Sequence, residues 1–141
     1  MKENTDFVQR SPTPPLPAPT PTASTEQRPW GSWTVLYEAE GVKVKLIEVR
    51  PGQRLSLQYH HYRSELWVCV GGRANAVIGD RTVQLALHDT AVIPAGEIHR
   101  LGNSGRDPVF IVEVQQGETL SEEDIVRLED DYHRAPKTSS R

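Results

Sequence analysis

Cysteine is all but absent from this chain, which has a single one in 141 residues. With Cys69 alone, neither an internal disulfide framework nor a multi-cysteine zinc site can be assembled, and its setting in Leu66-Trp67-Val68-Cys69-Val70 reads as a buried, inert thiol. Long apolar runs are missing too. No stretch approaches the ~20 apolar residues of a membrane span, and residues 1–25 lack an apolar core of signal-peptide length, so the expectation is a cytoplasmic protein. Excess positive charge is the third absence. With net charge -3 and a sequence pI of about 5.9, the chain offers no broad cationic surface for nucleic acid or an anionic membrane. An anionic substrate would need positive charge gathered locally.

Proline, by contrast, is crowded into the head of the chain. Residues 12, 14, 15, 17, 19 and 21 are prolines set among Ser, Thr and Ala. That composition favours extended polyproline II and cannot form a packed core, so 1–27 is expected to be a disordered tether. Residues 135–141 read as a second polar tail. Between them, 28–134 is long enough for one domain with one core.

From Arg28 the pattern turns to short segments of alternating polarity separated by Gly, Pro and Asp, the sequence form of an antiparallel sandwich or barrel. Expected strands are 33–38, 42–49, 54–60, 65–71, 73–78, 81–87, 90–93, 98–102 and 109–116. Gly79-Asp80 suits a type II′ hairpin, the glycine taking the positive-φ corner. Ser121-Glu122-Glu123-Asp124 is similar to a capping box. It predicts a helix over 122–132, with Ile125, Leu128 and Tyr132 as an apolar stripe against the barrel.

Four residues of metal-ligand type fall in the stretch Gly52 to Asn103. Gln58 and His60 are two apart in an expected strand, so both project from one face, and Glu65 follows across a short turn. Pro94-Ala95-Gly96 makes a turn before Ile98-His99-Arg100-Leu101, which lets His99 approach from across the sheet. Trp30, Trp33 and Trp67 read as core or interface groups rather than sugar-stacking platforms.

These residues resemble the cupin signature: Gly52, Gln58, His60, Glu65 and Gly72, then Pro94, Gly96, His99 and Asn103. Gln58 stands at the first histidine position, and Gln-His-Glu-His is the set that phosphomannose isomerases use for zinc. The likeness extends through Arg28-Pro29-Trp30-Gly31, Pro51-Gly52-Gln53-Arg54-Leu55-Ser56-Leu57-Gln58, His99-Arg100-Leu101 and the 122–132 segment. Over residues 28–134 the chain is similar to type II mannose-6-phosphate isomerase. The resemblance implies a single-domain all-β cupin (jelly-roll) barrel of about nine strands with a short C-terminal helix. It implies a divalent metal, zinc by preference, on Gln58, His60, Glu65 and His99, and the interconversion of mannose 6-phosphate and fructose 6-phosphate. In that family the cupin commonly follows a mannose-1-phosphate guanylyltransferase half, in GDP-mannose biosynthesis; a stand-alone domain is expected here. Where the family runs His-His-His-Arg-x-Glu-His-Trp, this chain has His60-His61-Tyr62-Arg63-Ser64-Glu65-Leu66-Trp67.

A sugar phosphate needs cations. Arg54 lies four residues before Gln58, so an unbroken strand puts it on the metal face. Lys45 shares a face with Lys43, opposite Val42, Val44 and Leu46. Arg100 would point away in a regular strand and is carried by the resemblance. His61 and Glu113 are both possible proton-transfer bases, and neither is assigned. The alternatives are a non-catalytic cupin that binds a sugar phosphate, and a cupin oxygenase using iron. A homodimer is expected, since small cupins often pair apolar edge strands.

Overall fold

The computed structural model describes residues 24–136. Most of the expected proline-rich tether lies outside the described residues, as does 137–141. Two antiparallel sheets make up the fold. The six-stranded sheet runs β1 (Thr25–Arg28), β2 (Gly31–Ala39), β3 (Val42–Val49), β10 (Val109–Gly117), β5 (Arg63–Gly71), β8 (Thr90–Ile93). The five-stranded sheet runs β11 (Val126–Glu129), β4 (Leu57–Tyr59), β9 (His99–Gly102), β6 (Ala74–Ile78), β7 (Arg81–Leu85).

The sheets pack face to face because each strand alternates. Ile47 and Val49, Trp67 and Cys69, and Val109 and Ile111 from one sheet meet Ala74, Ala76, Ile78, Leu85 and Leu101 from the other, all buried in one cluster. Trp30 and Trp67 belong to this core, and Cys69 is buried with them. The Gly79-Asp80 hairpin closes with Ile78 opposite Arg81; φ is +59° at Gly79 alone, the type II′ form that the sequence predicts.

Two stretches depart from expectation. Thr25–Arg28 forms β1 against β2, so the folded part starts before residue 28. The helix over 122–132 is absent: a turn at 121–124 leads into β11, which pairs with β4. The cap does begin, since Ser121 Oγ accepts the Glu123 N–H at 3.1 Å and Ser121 O accepts that of Asp124 at 3.1 Å. It does not propagate because Asp124 is already engaged. Its carboxylate accepts the N–H groups of His61 and Tyr62, and its carbonyl accepts a proton from His60. An eleven-residue helix is marginal alone, so a ladder with β4 wins. Among the described residues no helix is long and apolar enough to cross a membrane.

Candidate metal centre and its cavity

β4 and β9 bring the two ligand clusters together. Gln58 lies opposite His99 in the ladder, and the Pro94-Ala95-Gly96 turn, with φ +84° at Gly96, donates the Gly96 N–H to His60 O at 2.8 Å. The turn that frees His99 thus also anchors it to the His60 strand. His60, Glu65 and His99 are buried to within 3% of full enclosure, and their ligand atoms lie within 4.8 Å of one another. His60 Nε2 is 3.4 Å from Glu65 Oε2, and His99 Nε2 is 3.5 Å from Glu65 Oε1.

Both imidazoles are set in one tautomer. His60 Nδ1–H donates to Asp124 O at 2.6 Å, and His99 Nδ1–H to Glu97 O at 2.8 Å. A carbonyl can only accept, so each Nε2 carries a lone pair aimed at the cluster. Burial, the leading cause in both, lowers His60 to about 4 and depresses His99, so both are neutral at pH 7. His99 Nε2 is buried without a hydrogen-bond partner among the described residues. Two neutral imidazoles, a carboxylate and an orphaned lone pair form a His/Glu cluster compatible with a divalent metal ion.

Gln58 borders this cluster. Its Nε2 lies 3.5 Å from His60 Nε2, while Oε1 accepts from Ser56 Oγ at 2.6 Å. Arg63, which sequence reasoning passed over, touches it directly: Nη2 lies 3.2 Å from His60 Nε2 and 3.0 Å from Glu65 Oε2. Trp67 Nε1 divides its proton between Glu65 Oε1 (3.3 Å) and Glu113 Oε2 (3.1 Å).

Gln58 and Arg63 also line a cavity of about 210 Å³ between the sheets. Around it stand Arg28, Lys45, Arg63, Arg127 and Arg134 against two acids, Glu113 and Glu122. This is the local excess of positive charge that the overall balance withheld. Glu113 is raised to about 7, by burial first and by Glu65 second. Glu122 is held below the ordinary range by Lys45 and Lys43 in spite of burial, with Lys45 Nζ at 2.6 Å.

Of the four cations expected to meet a phosphate, Lys43, Lys45, Arg54 and Arg100, only Lys45 lines this cavity, lying 3.9 Å over the Trp33 ring. The lysines of β3 point inward, while Val44 and Leu46 take the outer face. Arg54 is not on the metal face. Leu55 and Ser56 both line the cavity, which breaks the alternation, and Arg54 turns to the outside of the five-stranded sheet. There its guanidinium forks onto Asp131 at 2.7 and 2.9 Å. Arg100 shares that outer cavity and donates to Leu55 O at 3.0 Å and Glu129 O at 3.2 Å. Arg127, the one arginine on β11, faces inward because the segment is a strand and not the helix that the capping box predicts.

Comparison with known proteins decides the family. The family described as Mannose-6-phosphate isomerase C-terminal matches residues 20–130. The chain belongs to that family. It is 47% identical over 107 residues to the alginate biosynthesis protein AlgA of Pseudomonas aeruginosa, covering 76% of this chain and 22% of AlgA. It is 42% identical over 114 residues to a mannose-1-phosphate guanylyltransferase of Sinorhizobium fredii, covering 81% and 22% respectively. The chain thus spans just over a fifth of the relatives it matches. Among solved structures, Lactobacillus farciminis oxalate decarboxylase aligns with a TM-score of 0.66 at 22% identity, covering 75% of this chain and 33% of that one. A Klebsiella pneumoniae double-stranded β-helix protein aligns at 0.61 and 21%, covering 82% and 92%. These two likenesses speak to the fold, and the fold is the cupin jelly roll.

Proposed function

We propose that this domain is a metal-dependent aldose–ketose isomerase acting on mannose 6-phosphate and fructose 6-phosphate. The observation that carries the reading is the convergence of two Nε2 lone pairs on the Glu65 carboxylate beside a net-cationic cavity. His60, Glu65 and His99 would hold the ion. Gln58 would complete the set by turning its amide, exchanging Oε1 for Nε2 while Ser56 Oγ changes from donor to acceptor. Imidazole, carboxylate and amide donors suit zinc. Such an ion, when bound, polarises the carbonyl and neighbouring hydroxyl of an open-chain sugar.

The remaining work falls to the chain's own side chains. Isomerisation moves a proton between C2 and C1 through an enediol, which calls for a group that both takes and returns a proton near neutral pH. Glu113 lines the cavity with its carboxyl raised to about 7, oriented by Trp67 Nε1 and by Gln115 Nε2 at 2.5 Å. Arg63 donates to Glu65 and to His60 Nε2, the same lone pair a metal would use, so its hydrogen bond to His60 would have to give way if the ion were bound.

A coupled assay on purified, metal-loaded protein with mannose 6-phosphate, with elemental analysis on the same sample, tests the reading. The expected result is isomerisation that stops on chelation and returns with metal. A protein that carries stoichiometric metal and leaves mannose 6-phosphate untouched overturns it.

A further inference from the structure

Arg127 occupies an unusual position. It lies directly opposite Gln58 in the β11–β4 ladder, which puts both side chains on one face, and both line the inner cavity. Ile125, two residues back, lines it as well, whereas Leu128 is exposed, so the segment alternates as a strand does. Its Nε is buried with no hydrogen-bond partner among the described residues. A guanidinium in that condition costs stability unless something else satisfies it.

The other cavity cations already have partners. Lys45 is 2.6 Å from Glu122, and Arg63 is held by Glu65 through Nε and Nη2, its Nη1 being the only other buried guanidinium nitrogen without a partner among the described residues. Arg134 forks onto Asp130 at 2.7 and 3.1 Å, which consumes the acid beside Arg127. Arg28 reaches Glu26 only at 3.9 Å. Arg134 and Arg28 both stand close enough for like charge to depress Arg127 further, after burial as the leading cause. Three guanidiniums lining one cavity, one of them with a buried Nε left unpaired, match a dianionic, multi-acceptor ligand.

We propose that Arg127, flanked by Arg28 and Arg134, docks the phosphate of a phosphorylated sugar whose other end lies toward Gln58 and the His60 cluster. This rests on the isomerase reading for the choice of a sugar ester, and its chemistry is that of phosphomonoester recognition. Arg54 and Arg100, on the outer face, take no part.

The test uses mannitol 6-phosphate, which has no carbonyl to isomerise, and mannitol, titrated calorimetrically into the metal-loaded full chain. Wild type should prefer the phosphate ester. Arg127→Gln should weaken the ester at least about tenfold while leaving mannitol binding and metal content unchanged, and Arg127→Lys should recover part of the loss. In turnover, KM for mannose 6-phosphate should rise about tenfold with kcat held within about threefold. Should Arg127→Gln fail to fold, Arg28→Gln gives the same test with a smaller expected loss. An unchanged ester-to-mannitol preference in the folded variants, or no preference in wild type, overturns the proposal. Ester binding through Arg127 without isomerisation would sink the isomerase reading and leave the phosphate site standing; isomerisation indifferent to Arg127 would do the reverse.

Discussion

The two faces of the five-stranded sheet hold arginines in opposite conditions. On the outer face, in a cavity of about 250 Å³, Arg54 is forked onto Asp131 and Arg100 is satisfied by two backbone carbonyls and the nearby Glu129 carboxylate. On the inner face, Arg127 keeps a buried Nε without a partner among the described residues, and across the cavity Arg63, on β5 of the six-stranded sheet, contacts the His/Glu cluster and leaves its Nη1 unpartnered as well. A guanidinium whose buried donors are bonded to the protein acts as a clamp, here fixing the 129–131 segment to β9 and to the stretch just before β4. One left with unspent donors in a closed space is poised for a ligand. Both faces are rich in arginine; only partner accounting separates them.

Changes inside should therefore cost function and changes outside should cost stability. The largest expected effect is at the cluster. His60→Ala should abolish stoichiometric metal and reduce isomerisation to background while circular dichroism still shows the sheet; a variant that keeps its metal would break the comparison. Next is Glu113→Gln, which should lower kcat by about 10²–10⁴-fold with metal content unchanged, the range for a lost acid–base group.

The same variant carries a pH signature. Glu113 is raised from 4.5 to about 7 in the folded chain, so the folded state binds this proton more tightly than the unfolded one. Its contribution is fully present below about pH 4.5 and is lost as pH rises through 7. In metal-free protein, the stability of wild type relative to Glu113→Gln should fall across that window, by an amount on the order of a few kcal/mol. Flat behaviour in a denaturant series from pH 4 to 8 would place Glu113 in a wetter setting.

Outside, Arg100→Ala should destabilise by about 1–3 kcal/mol, because it strands the carbonyls of Leu55 and Glu129, and chemical unfolding should register this with KM unchanged. Arg54→Ala is the smallest. Its pair with Asp131 is half-exposed, so about 0–1 kcal/mol is expected, with KM for mannose 6-phosphate within about twofold of wild type. A KM that rises as far as it does for Arg127→Gln would erase the distinction between the faces.

What the sequence determined by itself is whatever depends on local period and local backbone. Val42–Val49 and Thr90–Ile93 have the bounds that alternation predicts, and Gly79 supplies the hairpin corner because few other residues tolerate its φ. The shared face of Gln58 and His60 was legible for the same reason, being a matter of two residues in one strand. Tertiary structure decided the rest. Whether Gln58 meets His99 depends on β4–β9 pairing across some forty residues, whether Glu65 on β5 meets it depends on the packing of one sheet on the other, and Arg54 left its expected face because Leu55 and Ser56 both turn inward. Residues 121–132 carry a valid helix start, yet they became β11 when Asp124 found the backbone of His61 and Tyr62 and the imidazole of His60. A hydrogen bond to a distant strand leaves no mark on local periodicity, so the buried Arg127 Nε that has no partner among the described residues is visible only in the tertiary structure.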